Sequence, residues 1–526
     1  MKPARLLFAL PLIFSLLATS GCEQNIVSDT DIGWSEYAKG NYAAAVKWFR
    51  AAAEDGDADA QRVLGVMYAN GEGVAKNDSE ALQWFLRAAE QGNAEAQWRM
   101  GIIYDIGRGV TKDDAEALRW FRKAADQNIA LAQWRIGVIY NIGSATSRDD
   151  TEAVKWFTKA AEQGLADAQH SLALMYENGA GVPESDAQAI NWYRLAAAQG
   201  VANAQSRLGD FYSQGRHVPR DLKEAAVWYQ RAAENGLGSA QLIMGELFSR
   251  GIGVSQDHDA AMLWFRAAAE QGFMRAQTQL ADYYYQGDIV PKDINEAIFW
   301  YRKAALQGSA QAQNNLGIMY RTGEGLPKNS AEAVKWFNRA VNQNYAAAQL
   351  NLGIMYATGD GVPESDSQAL LWLRKAAAQN LADAQFQLGT MYEQGKGVEK
   401  DIKQALAWYQ KAIAQDHANA QFALASLYSS GNGVAQDPIQ AFNWYRKAAA
   451  QGFADAQFSL GLAYANGEGV AENITSAYVW WSMAKTQSND QARVNLDIIK
   501  ANMTQAQLTN AQSLAAACYT STYETC

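Results

Sequence analysis

In the stretch "EALQWFLRAAEQG", which begins at Glu80, Ala81, Trp84, Phe85 and Ala88 stand at offsets of 0, 3, 4 and 7. That spacing places them on one stripe of an α-helix. In "AEAQWRMGIIYDIG" the positions Ala96, Met100, Ile103 and Tyr104 stand at 0, 4, 7 and 8, which predicts a second helix. "QGN" joins the two, and its Gly can take the left-handed conformation that ends a helix. A "GEGVAKN"-type loop follows, with Gly for the turns and Asn or Asp where the next helix begins. The small Ala81 and Ala96 are expected to let the helices approach closely, with Trp84 filling the space between them. Neither helix can bury its stripe alone, so stacked neighbours must complete the core.

The pattern recurs along the chain. Trp occurs at 48, 84, 120, 156, 192, 228, 264, 300, 336, 372, 408, 444 and 480, always 36 residues apart, and Ala stands three residues before each. A Gln series runs from Gln61 to Gln457 with the same period, each Gln preceded by Ala. Seven residues past each Gln is Tyr, replaced once by Phe248, and three further on is Gly, from Gly71 to Gly467. Self-similarity at a fixed period is the signature of a repeat array, not of unrelated domains.

The consensus A-x-x-W-F/Y-x-K/R-A-A-x-Q-G-x-A-x-A-Q-x-x-L-G-x-x-Y-x-x-G-x-G-V resembles the Sel1-like repeat, a relative of the tetratricopeptide repeat. The resemblance implies an all-α fold. The expected form is an α/α solenoid of about 12–13 helix-pair repeats in a right-handed superhelix, serving as a protein-interaction scaffold. The expected organisation is a signal peptide over 1–21, a linker and partial cap over 22–42, the solenoid over 43–485, and capping helices with a tail over 486–526. In that last segment Arg493 stands where Gln is due, and Thr504 is placed to cap the final helix.

Framework residues recur because packing demands them, so candidate partner-binding positions are those that vary. In tetratricopeptide arrays the first helix of each pair lines the concave face, and alignment makes the Gln–Tyr helix its counterpart. The residue just after Gln is then expected to point into the groove. It gathers two aromatic clusters, Trp98 with Trp134, and Phe386 with Phe422 and Phe458. Exposed aromatics would anchor a peptide or a sugar ring; the alternative is that they pack against the adjoining helix. Four residues on, Asp210, Glu246 and Asp282 suggest a central acidic patch, to receive a basic segment or simply to be solvated. A basic row two residues after Trp, including Arg50, Arg122, Arg194, Arg266, Arg302, Arg374 and Arg446, is expected to pair with acids or stay hydrated.

Composition narrows the partners. With 45 Lys and Arg against 55 Asp and Glu the net charge is −10, and no long basic run suggests a nucleic-acid surface. Lys2 and Arg5, the apolar run Leu6 to Leu17 and the small residues of "ATSGC" form an export signal. The apolar run is short of the roughly 20 residues needed to span a bilayer. Here the chain resembles the lipobox of bacterial lipoproteins, in which Cys22 would be acylated and become the first residue; simple secretion is the alternative. Thr19, where Leu is usual, departs from that pattern. Glu23 after the Cys, where Asp is the usual retention signal, implies an outer-membrane lipoprotein facing the periplasm or the cell surface. Cys518 and Cys526 could close a terminal loop in an oxidising compartment, which spacing alone does not decide.

The same residues give little to an enzyme. The four His, at 170, 217, 258 and 417, share no repeat position and no metal-ligand spacing, so no metal or cofactor is expected. Ser482 and Lys485 form an S-x-x-K without its companion motifs. Family members with penicillin-binding or β-lactamase activity carry a Cys pair in each repeat, and those cysteines are missing here. The resemblance therefore implies an envelope scaffold, not an enzyme, with a protein or peptide partner in a secretion or signalling complex. An alginate-type exopolysaccharide export scaffold is the alternative.

Overall fold

In a computed structural model, residues 28–521 and 523 are described. Among them the chain forms 28 helices and no strand, nearly all of 12 or 13 residues. Each begins and ends on the chemistry the pattern supplies. Helix Asp78–Glu90 starts at Asn77, whose side chain accepts from the backbone N–H groups of Ser79 and Glu80. Helix Ala94–Ile106 ends at Gly107, whose φ of +75° suits a residue without Cβ. Where the turn between the two helices lacks Gly, Asn128, Asn344, Asn380, Asp416 or Ser488 takes the left-handed conformation instead.

Two compact units result, residues 28–240 with 252–254, and residues 241–251 with 255–521 and 523. In both, a Gln–Tyr helix packs most closely on the Trp helix that follows it, as Ala94–Ile106 does on Asp114–Asp126 and Ala382–Gln394 does on Ile402–Ile413. The close approach is made by Gly. A Cβ on Gly101 would lie 2.3 Å from Cδ1 of Phe121, so the ring occupies the room of a missing side chain. The residue after Trp therefore fills the tight contact. Trp itself lies elsewhere, which corrects the expectation for Trp84: it packs back onto the helix before its own, Ala58–Asn70, with Leu64 and Met67. Trp120 and Trp192 likewise reach back onto earlier clusters. A Lys or Arg three residues on stacks over many of these Trp rings, as Lys123 does at 3.9 Å from the Trp120 centroid and Lys411 at 3.9 Å from Trp408; Leu195 takes that place after Trp192.

The buried Gln joins one unit to the next. Gln97 Nε2 donates to the Ala89 carbonyl, 3.1 Å away at the end of the preceding helix, which also accepts from the Gly92 N–H at 3.0 Å. Its Oε1 accepts from Gln127 Nε2, at the end of the Trp helix that follows, at 2.8 Å. The same 30-residue link runs from Gln91–Gln61 to Gln487–Gln457 at 2.6–3.0 Å, with Asn235 replacing the donor once. A buried amide is tolerated here because both its ends are satisfied.

The basic row also has a partner that its sequence position did not suggest. Arg122, Arg194 and Arg374 donate to the hydroxyls of Tyr140, Tyr212 and Tyr392 at 2.6, 3.0 and 2.8 Å, eighteen residues on. At the C-terminus helices Asp490–Asn502 and Gln505–Thr520 close the array, and Thr504 caps the second through a reciprocal pair of bonds with Gln507. Cys518 is fully buried and disulfide-bonded; its expected partner Cys526, like Cys22 and the signal segment, lies outside the described residues. No described helix is long and apolar enough to cross a membrane.

Candidate functional site

The open face of the Gln–Tyr helices is set by what the framework buries. In Ala310–Thr322 the residues Ala312, Gln313, Asn314, Leu316, Gly317 and Met319 are buried. Gln311, Asn315, Ile318 and Thr322 remain half-buried or exposed, at offsets of 0, 4, 7 and 11. In Ala94–Ile106 the equivalent stripe is Glu95, Arg99, Ile102 and Ile106, the last 64% exposed.

The residue just after Gln sits on the flank of this stripe, against the following Trp helix. Trp98 is only 9% exposed and its ring meets Phe121 at 5.2 Å. Trp134 is half-buried among the next unit's core residues and its Nε1 donates to Ser171 at 3.1 Å. Phe386 lies 5.8 Å from Tyr409 and 5.2 Å from His417. Phe422 meets Tyr445 at 5.6 Å and Phe453 at 5.2 Å, and Phe458 packs on the C-terminal core. The expected row of free groove anchors is thus replaced by contacts between helices. A side chain one position off the open stripe is covered by its neighbour, whose aromatic ring lies 23 residues on.

The acids of the row four residues later do lie on the open stripe, each held by side chains of the chain itself. Asp210 accepts from Arg207 at 2.9 Å and from the Tyr229 hydroxyl at 2.8 Å. Behind it the buried Glu177 takes bonds from Arg207, Arg216 and the Tyr193 hydroxyl. Glu246 pairs with Arg275 at 2.9 Å. Asp282 accepts from the Tyr301 hydroxyl at 2.6 Å, Gln311 at 2.8 Å and Asn315 at 3.2 Å. Burial holds its carboxyl above the usual range despite those bonds. Sequence reasoning missed that Asp210 and Asp282 answer a buried phenol. The signal was present in part: where Tyr follows Trp at Tyr229, Tyr301, Tyr409 and Tyr445 the residue nineteen earlier is Asp210, Asp282, Thr390 or Ser426, whereas at Tyr193 it is Leu174 and the phenol bonds Glu177 instead. It also missed the stripe position two after Gln, where Arg99, Arg135 and Arg207 stand in one unit and Asn315 and Asn351 in the other.

The remaining candidates have structural partners. His417 caps its helix through Nδ1 and meets Asp383 at 3.0 Å through Nε2. His170 lies against Tyr193, and burial holds its imidazole below the usual range. The Ser482 hydroxyl donates to the Tyr478 carbonyl at 2.8 Å, and Lys485 is exposed. Among the described residues no group of three or more His, Cys, Asp or Glu could hold a metal ion.

This arrangement matches a known family. The model of the Sel1 repeat fits thirteen successive stretches, beginning with 33–57, 58–93 and 94–129 and ending with 454–489. The chain belongs to the Sel1-repeat family. The matched boundaries open each unit at the Gln–Tyr helix, in keeping with the tight pairing of that helix with the Trp helix after it. A solved structure of a protective antigen present in uropathogenic Escherichia coli strains, displaying an SLR fold, is 35% identical. The match covers 91% of this chain and 95% of that one, with a TM-score of 0.64. A Sel1 repeat protein from Oxalobacter formigenes is 33% identical over 59% of this chain and 90% of its own, with a TM-score of 0.45. No curated protein matches. Sel1-repeat solenoids fit the role of protein-interaction scaffold and are generally not enzymes.

Proposed function

We propose that this Sel1-repeat chain is a lipid-anchored scaffold of the bacterial envelope, acylated at Cys22 and binding a protein or peptide partner along the open stripe of its Gln–Tyr helices. One observation carries the reading. The recurring Trp, Gln, Gly and Tyr are committed to internal contacts, while the residues left on the open stripe vary from unit to unit. A surface that is uniform in shape and variable in chemistry suits recognition of an extended partner. The export signal supports the placement, as does similarity to a protein described as a protective antigen. An outer-membrane position, facing the periplasm or the cell surface, follows from Glu23 on the same reading.

The test is chemical cross-linking in intact envelopes, capture of the chain and identification of what comes with it. A partner recovered reproducibly, and lost when the open stripe is altered in a folded variant, supports the scaffold. Recovery of nothing reproducible overturns it. The anchor is tested separately by Cys22→Ala, which should move the protein out of washed membranes; retention there would contradict acylation at Cys22.

A further inference from the structure

Three successive helices of the second unit, Met274–Gln286, Ile294–Leu306 and Ala310–Thr322, enclose a cavity of about 210 Å³. Asp282, Tyr285, Gln286, Tyr301, Asn315, Ile318 and Met319 line it. It is smaller than the roughly 300–1,000 Å³ of sites that take a drug-sized ligand, so its scale is that of one side chain.

Its chemistry is set by a carboxylate without a counter-charge. The equivalent acids Asp210 and Glu246 each have an Arg at 2.9 Å. Among the described residues no Lys, Arg or His comes within ion-pair distance of Asp282. Its three partners, Tyr301, Gln311 and Asn315, are neutral donors. Asn315 also donates to the Tyr301 hydroxyl at 3.0 Å, which fixes the phenol between amide and acid. Two bonds fall on Oδ1 and one on Oδ2, so a carboxylate with about four acceptor sites keeps one free on Oδ2. The elevated pKa of Asp282 is the mark of the same deficit: neutral donors offset only part of its lost hydration.

The walls suit a cation. The rings of Tyr285 and Tyr301 meet edge to face, centroids 6.4 Å apart. Tyr285 already lies 5.1 Å from Lys292 Nζ, but that ammonium is paired with Glu324 at 2.8 Å. Aromatic rings beside a carboxylate attract a cation through both ring quadrupole and charge. Ile318 and Met319 offer apolar contact for an aliphatic stem. The cavity is reachable, since Gln286 and Gln311 at its edge are exposed and Asp282 and Asn315 are half-buried.

We infer that this cavity binds one cationic side chain, lysine or arginine, of a partner polypeptide, with the Asp282 carboxylate as its counter-charge. The inference rests on the scaffold reading and deepens it by assigning the partner a basic residue. A charged nitrogen arriving on a stem would complete Oδ2 and supply the positive charge that Asp210 and Glu246 receive from Arg207 and Arg275.

The experiment uses the full chain in detergent and short synthetic peptides, each with a single Lys, Arg or norleucine flanked by Gly, read by saturation-transfer NMR. The Lys peptide should give saturable transfer, the Arg peptide should compete with it, and the norleucine peptide should give none. Asp282→Asn keeps the shape and should weaken the Lys peptide by about tenfold or more, whereas Glu246→Gln, at a carboxylate already paired, should leave it unchanged. Thermal melts of both variants confirm that they are folded. No saturable binding of the Lys peptide, equal binding of norleucine, or undiminished binding to folded Asp282→Asn overturns the inference. Because the peptides are synthetic, failure to capture an envelope partner would count against the scaffold and not the pocket. Failure of the peptides would count against the pocket alone.

Discussion

Gln313 shows how one residue type can recur through the whole chain for a purely internal reason. Its Nε2 donates to Ala305 at 3.0 Å and its Oε1 accepts from Gln343 at 2.9 Å, while the side chain is 5% exposed. Gln313→Leu keeps the volume but removes both bonds, leaving the Ala305 carbonyl with the Gly308 N–H alone and the exposed Gln343 amide to water, so urea unfolding should show a loss of about 1–3 kcal/mol for the two bonds together. A loss below ~0.5 kcal/mol would show the amide link to be dispensable. Gly101→Ala should cost about 1–3 kcal/mol by overpacking, because the new methyl would meet Phe121. Asp282 gives a pH signature. Its pKa is raised in the folded state, so the native protein binds more protons than the unfolded chain between the ordinary value of 3.8 and the folded one. Stability contributed by this group is therefore present below pH 3.8 and lost as pH rises through the folded pKa. Asp282→Asn should remove that decline, leaving the variant level with or above the wild type at neutral pH in thermal melts. An unchanged pH profile would contradict the raised pKa.

Among the helices, the sequence pattern located the segments and their caps because both follow from local rules: stripes at helical spacing, Asn or Asp at the start, Gly at the end. Which side of a Gln–Tyr helix stays open was less legible. Trp98 and Ile102 are four residues apart and read as one face, yet Trp98 leans onto Phe121 while Ile102 stays on the open stripe. The difference depends on the next helix, which periodicity within a single helix does not encode. The place of Trp84 was obscured in the same way, since it packs back onto Leu64 and Met67 of the helix before it. Trp98→Ala should consequently lower stability by about 3–5 kcal/mol in urea unfolding, as a core truncation does. A loss within ~0.5 kcal/mol would return Trp98 to the list of exposed anchors.

Over the molecule, matched repeats joined by bonds such as that from Gln97 to the Ala89 carbonyl of the repeat before it depend on their neighbours. The family and the helix-pair architecture were legible because the period is unbroken. The partner site was only partly legible, because specificity lies in the residues that break the pattern. Those residues fall on the open stripe, where one unit presents Arg99, Arg135 and the exposed Ile106 and Ile142, and the other presents Asp282, Asn315 and Asn351. The central claim is that this variable stripe, and not the framework, holds the partner. The most direct test is quantitative cross-linked capture from envelopes by the wild type and by a variant carrying Ile106→Ser, Ile142→Ser, Thr358→Arg and Gln394→Arg, all at exposed stripe positions. The account predicts an unchanged melting temperature and at least about a tenfold loss of the captured partner. Undiminished capture by the folded variant would contradict it.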